Sequence, residues 1–136
     1  MLPPHFWLVR YNGLRYPGAP GDRGLESGAN CQRFAYEVLR HFGLNLPDLR
    51  SCDLWDDTEV TEYVSTNHQP LDLLLWSRTG ATYGAHVGVY LGDERAVHLS
   101  KRVGVPAVWP LAKFERFPEY LVFIGAKRVL QTGLEG

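Results

Sequence analysis

The sequence has little of what marks a nucleic-acid or membrane protein. Its net charge is about −1, with 14 Lys and Arg against 15 Asp and Glu. No basic residues gather into a cluster or stripe, which argues against nucleic acid as the main partner. No apolar run reaches the ~18 residues of a membrane span. The opening "MLPPHFWLVRYNGLRYPGAPG" has neither a basic stretch leading into a long apolar run nor a small-residue cleavage site. No secretory signal is therefore read, and a cytoplasmic location is the expectation. Cysteine is scarce: Cys31 and Cys52 form no CxxC pair and are too few for a disulfide framework, which fits a reducing compartment. Repeats, low-complexity tracts and credible linkers are also missing.

What is present fits one compact domain over residues 1–136, since 45% of the residues are hydrophobic and 21% charged, enough for a real core. The Pro/Gly-rich segment from Tyr16 to Gly24 reads as an irregular loop leading into a helix. The tail "QTGLEG", residues 131–136, reads as frayed.

The helix lies in "SGANCQRFAYEVLRHFG", residues 27–43. Asn30 is a good N-cap, and Gly43 supplies the left-handed residue that ends helices. Phe34, Ala35, Val38, Leu39 and Phe42 recur at helical spacing, and Cys31 shares their inward face. Cys31 thus opens the first turn, where unpaired N–H groups and the positive end of the helix dipole favour a thiolate. Without further context a lone cysteine there reads more readily as a small buried hydrophobe.

The second half supplies context. Residues 71–77, "LDLLLWS", read as a strand, 85–100, "AHVGVYLGDERAVHLS", as a hairpin, and 119–129, "EYLVFIGAKRV", as another strand. "PLAKFERFP" has room for a short helix, and "CDLWDDTEV" for a turn into one. Helix first and antiparallel sheet after is an α+β arrangement. Two hairpin registers compete. A two-residue loop at Asp93 and Glu94 would mix apolar and polar residues on each face. A three-residue loop of Gly92, Asp93 and Glu94 instead pairs Val89 with Val97 and Val87 with Leu99, gathering the branched residues on one face. That register sets Gly88 opposite His98 and makes His86 and His98 diagonal neighbours on the face away from the core, roughly 6–8 Å apart at the backbone. Gly88, lacking a side chain, leaves space between them.

A cysteine peptidase or amidase needs a thiol, an imidazole that takes its proton and later gives it to the leaving amine, and a third group that fixes the imidazole's tautomer. Cys31, His86 and His98 can fill those roles in that order. Backbone N–H groups at the helix start, including that of Cys31, are candidates for stabilising the oxyanion. The same three side chains would also suit zinc, but no fourth ligand stands at a recognisable spacing.

The segments "ANCQRFAYEVLRHFGLNLP", "QPLDLLLW" and "HVGVYLGDERAVHLS" resemble the NlpC-type cell-wall cysteine peptidases of the papain-like superfamily. That family carries an Asp-Cys-Ser-Gly helix start, a Gly-Asp strand, and a His-Val-Gly-Ile-Tyr-Leu-Gly hairpin with a second histidine on the return strand. The resemblance runs from about Tyr16 to Val129. It implies a papain-like fold, an N-terminal helix carrying the cysteine packed on a C-terminal antiparallel sheet. It matches Cys31 to the nucleophile, His86 to the general base and His98 to the orienting residue. Tyr16, in "LRYPG", corresponds to a tyrosine that lines the family's site. The implied reaction is hydrolysis of an amide in peptidoglycan stem peptides, often a γ-D-glutamyl bond to a diamino acid, by a bacterial enzyme that requires no cofactor or metal. The implied partner is a peptide or peptidoglycan fragment; nothing in the sequence sets an oligomeric state.

Departures flank the nucleophile. Asn30 replaces the family's aspartate, Gln32 and Arg33 replace Ser-Gly, and Leu71 stands where a Gly precedes Asp72. "NCQRFA" also has some likeness to the CHAP amidases. Gln32 and Arg33 are therefore candidate substrate contacts, Arg33 through a substrate carboxylate. A silent domain of this fold that binds a peptide or protein is the competing expectation. Cys52 reads as structural, Trp76 and Trp109 as core or cleft wall, and His5, His41 and His68 as scattered.

Overall fold

A computed structural model describes residues 2–130; the tail expected to fray lies outside them. The first long element is α1, Cys31–His41. Asn30 caps it, its side chain accepting from the Arg33 N–H at 2.8 Å, and Gly43 follows its end at φ 89°, where only glycine is unstrained. The apolar stripe of Phe34, Ala35, Val38 and Leu39 is buried; each large side chain in it contributes roughly 1.5–3 kcal/mol relative to exposure. A short helix α2, Ser51–Asp56, follows.

Six strands then form one antiparallel sheet: β1 Thr61–Val64, β2 Leu73–Ser77, β3 His86–Gly92, β4 Arg95–His98, β5 Ala107–Pro110 and β6 Val122–Val129, in the order β1-β6-β2-β3-β4-β5. A one-turn helix α3, Leu111–Phe114, and a 3-10 turn, Pro118–Tyr120, link β5 to β6. The α+β class expected from the sequence is the one observed. Strand β6 starts three residues later than expected because Pro118 opens the 3-10 turn. β2 starts at Leu73, not Leu71, because Leu71 has φ 80°. That left-handed conformation accounts physically for the resembled family's glycine at this point. Asp72, fully buried, accepts from the Gln69 N–H and pairs with Arg128 at 2.8 and 2.9 Å.

The hairpin combines both registers weighed above. Val89 pairs with Val97 and Tyr90 with Ala96, yet Gly92 pairs with Arg95. The loop is thus the two residues Asp93 and Glu94, at φ 55° and 58°, the signs of a type I′ turn. A bulge at Leu91 absorbs the extra residue and restores the pairing that a three-residue loop would have given.

Successive side chains alternate across the sheet, and both faces are covered. Leu73, Leu75, Val87, Val89, Val97 and Leu99 pack with the stripe of α1. On the reverse, Leu74, Trp76, Tyr90, Ala96 and Ala126 pack with Trp109, Phe114 and Tyr120. The face expected to lie away from the core is therefore a second core, built by the β5-to-β6 connection.

Candidate active site

The chain reaches Cys31 along a fixed path. Ala29 donates to the Arg10 carbonyl and accepts from the Asn12 N–H, while the Asn30 N–H donates to Arg15. The cap takes the N–H groups of Arg33 and Phe34. Those of Cys31 and Gln32 remain, and both face the Cys31 sulfur, together with the Val87 N–H of β3. The sulfur is thus held between the start of α1 and the residue that follows His86. Cys31 keeps intermediate exposure, so the residue is reachable from solvent.

His86 opens β3. The loop feeding it is tied to α2, where the Ser51 hydroxyl donates to the Thr82 carbonyl at 2.6 Å and accepts from the Ala85 N–H at 3.1 Å. His98 ends β4. Nε2 of His86 lies 2.8 Å from Nδ1 of His98, with the rings nearly perpendicular at 86°. The diagonal contact inferred from the register is therefore a direct hydrogen bond. Gly88 contributes differently from expectation: the space is not open, since a Cβ there would meet Trp76 at 3.2 Å and the His98 Cβ at 3.4 Å. Glycine lets the Trp76 ring close under the pair. Both histidines are buried, at 9% and 1% exposure.

Burial decides the charge state. It pushes the Cys31 thiol from 9.0 up to about 11, against the three N–H groups, which lower it. The helix start acts in the expected direction, but desolvation outweighs it, so the resting sulfur is a thiol and not the thiolate expected from the sequence. His86 is driven well below 6.5 by burial and then by His98. His98 is lowered to about 3, by burial first and Lys113 second. At neutral pH the resting site thus holds a neutral thiol and two neutral imidazoles.

The other expected contacts are placed elsewhere. Arg33 is buried and donates to the carbonyls of Tyr16, Asp22 and Gly24 at 3.3, 2.6 and 3.3 Å. It clamps the Tyr16-to-Gly24 loop and is not free to meet a substrate carboxylate. At 100° per residue it also projects from the flank of α1 opposite Cys31, where it borders a cavity of about 160 Å³ with Glu37, Arg40 and Asp48. Gln32 is buried, and its Oε1 has no partner among the described residues. Tyr16 carries the Arg50 guanidinium 4.7 Å above its ring. Tyrosines not singled out in the sequence are coupled to the thiol: Tyr11 and Tyr36 are raised by burial first and Cys31 second, and Tyr120 by burial, then Glu119, then Cys31. Tyr120 also lies 4.6 Å from the His86 ring. The crowding of aromatics in "WPLAKFERFPEY" was the one available signal for it. Among the described residues, no group of three or more His, Cys, Asp and Glu side chains could hold a metal ion. Nor is any helix among them long and apolar enough to cross a membrane.

Similar proteins agree with this fold. The chain is 39% identical over 98 residues to the murein DD-endopeptidase MepS/murein LD-carboxypeptidase of Escherichia coli strain K12, and equally to that of Escherichia coli O157:H7. The match covers 70% of this chain and 47% of either relative, so the chain spans about half their length. A solved structure of a NlpC/P60 family protein from Bacillus cereus ATCC 10987 superposes with a TM-score of 0.57 at 21% identity, covering 76% of this chain and 32% of that one. At that identity it supports the fold alone, a helix packed on an antiparallel sheet. Residues 15–109 match the NlpC/P60 family, a span that holds the α1 cysteine and the whole histidine hairpin, and the chain belongs to that family.

Proposed function

We propose that this chain is a thiol hydrolase that cleaves amide bonds in the stem peptides of peptidoglycan, with Cys31 as nucleophile, His86 as general base and acid, and His98 as the residue that orients His86. The supporting observation is the hydrogen bond between His86 Nε2 and His98 Nδ1 at 2.8 Å, at the residue preceding the Val87 N–H that meets the Cys31 sulfur. The Escherichia coli relatives, named as an endopeptidase and carboxypeptidase of murein, support the substrate class.

The neutral resting state sets the order of events. As the sulfur attacks the amide carbon, its proton passes to Nδ1 of His86, while Nε2–H stays donated to His98. The carbonyl oxygen, now negative, is met by the N–H groups of Cys31 and Gln32. Collapse expels the amine, which takes the proton back from His86 and leaves a thioester. Water then attacks the thioester, giving a proton to His86 and releasing the acid as the sulfur regains its proton. Thiolate and imidazolium exist only within the step.

Purified muropeptides carrying DD cross-links, LD-linked tetrapeptides and simple γ-glutamyl amides, incubated with the protein and read by mass spectrometry, test this. Cleavage of one class by the wild type and its loss in Cys31→Ala and His86→Ala is the expected result. Cleavage that persists in Cys31→Ala, or no cleavage of any class, refutes it.

A further inference from the structure

The bond between the two histidines can be made in two ways. In the first, His86 carries its proton on Nε2 and donates it, so that neutral His98 has a bare Nδ1 and a proton on Nε2. In the second, His98 donates from Nδ1, its Nε2 is a bare lone pair, and His86 carries its proton on Nδ1. Only the first leaves His86 Nδ1 able to accept a proton. The second is a silent site with the same heavy-atom geometry. The choice therefore rests on what His98 Nε2 faces.

That atom is buried and meets no hydrogen-bonding partner among the described residues. Its ring is instead walled by aromatics: the Trp109 ring at 4.4 Å and 68°, and the Phe114 ring at 4.7 Å and 56°. The wall is itself fixed, because Phe114 stacks on Trp76 at 4.0 Å and 8°, and Trp109 stacks on Phe117 at 5.2 Å. An aromatic face is the negative pole of the ring quadrupole. It attracts an N–H and repels a lone pair.

We infer that the aromatic wall of Trp109 and Phe114 fixes His98 as its Nε2–H tautomer, and thereby holds His86 with Nδ1 free to take the thiol proton. Trp109 and Phe114 are positioning residues, acting through His98 on His86. The purpose of the device rests on the hydrolase reading above; the tautomer itself does not. Lys113 adds to it. Its ammonium lies 4.6 Å from the Trp109 ring centroid, and with burial it holds His98 down to about 3.

Nitrogen-15-labelled histidine in the full chain, read by long-range proton–nitrogen correlation near neutral pH and assigned with His98→Asn, reports each ring nitrogen directly. The expected wild-type spectrum has His98 protonated at Nε2 and bare at Nδ1. In Trp109→Leu and Phe114→Leu the other tautomer gains population, and kcat falls about two- to fivefold with KM unchanged. Trp109→Phe, which keeps a π face, restores both. A wild-type His98 protonated at Nδ1 overturns the inference whether or not any variant folds. So does a folded Leu variant with unchanged tautomer and kcat. A wild type with the expected tautomer that cleaves no muropeptide supports the inference and counts against the hydrolase reading instead.

Discussion

A thiol pushed from 9.0 to about 11 has a specific consequence for alkylation. At pH 7 the thiolate fraction of an ordinary thiol of pKa 9 is about one in a hundred; at 11 it is about one in ten thousand. Cys31 should therefore react with iodoacetamide roughly a hundredfold more slowly than an unperturbed thiol, and the rate should climb about tenfold per pH unit up to pH 10 or beyond. The measurement is the labelling rate by intact-mass spectrometry in a Cys52→Ser background, at steps from pH 6 to 11, with circular dichroism confirming the fold at each step. Turnover should follow a different profile. Its working form has a neutral thiol and a neutral His86, and His86 lies well below 6.5, so kcat/KM should be level from about pH 6.5 to 10 while labelling rises a thousandfold or more. A preformed thiolate–imidazolium pair predicts the reverse: labelling already level below pH 8, and tracking turnover on both limbs. Level labelling across that range would refute the account of a desolvated, neutral resting site.

The same burial makes the fold sensitive to acid. His98 is lowered to about 3, so the folded state resists a proton that the unfolded chain accepts below 6.5, and stability present above that value is lost as pH falls toward 3, by up to about 5 kcal/mol; urea titrations from pH 7 to 4 should show it, and His98→Gln should flatten the decline. Asn30→Ala removes the cap on the Arg33 N–H and should cost about 1 kcal/mol, read as a lowered urea midpoint with unchanged slope. Gly88→Val would force a Cβ to within 3.2 Å of Trp76 and 3.4 Å of His98; a loss of roughly 1–3 kcal/mol is expected, with a fall in kcat larger than the fall in folded fraction. Arg33→Ala strips the loop carbonyls of Tyr16, Asp22 and Gly24 of their donor, and trypsin should then cut after Arg23 faster than in the wild type, whereas an unchanged cleavage rate would show that Arg33 does not clamp the loop.

What could be read from the sequence was what local periodicity encodes. The helix at Cys31 announced itself by its cap, its apolar spacing and Gly43. The hairpin did so through the single register that gathers Val87, Val89, Val97 and Leu99. The strands passed over, β1 and β5, are the two edges of the sheet. Each has four residues, a broken burial pattern, and in β5 a terminal proline, which an edge tolerates because one side of it needs no ladder. The bulge at Leu91 was invisible for another reason: a turn of two residues plus a bulge and a turn of three give the same pairing. Arg33 misled because a charged residue in a first helical turn suggests a solvent or ligand contact. Its real partners are carbonyls of a loop that holds Pro17 and Pro20, residues that bring acceptors without donors.

The chemistry sits where two cores meet on one sheet. The sulfur arrives on the side packed by Phe34, Ala35 and Val38 of α1, while the imidazoles are gripped from the side packed by Trp76, Trp109, Phe114 and Tyr120. Strand β3 contributes to both, carrying His86 and the Val87 N–H as consecutive residues. Alternation along a strand turns two consecutive residues to opposite faces, so Val87 anchors in one core while His86 anchors in the other. Loosening either core then shifts one reacting group and leaves the other in place. A change in the aromatic cluster, remote from Cys31 along the chain, would act on the imidazole's position and tautomer and leave the thiol's pKa near its resting value. A change under α1 would move the thiol and leave the histidine bond intact. The two failures are separable by the alkylation profile on one hand and the histidine nitrogen spectrum on the other.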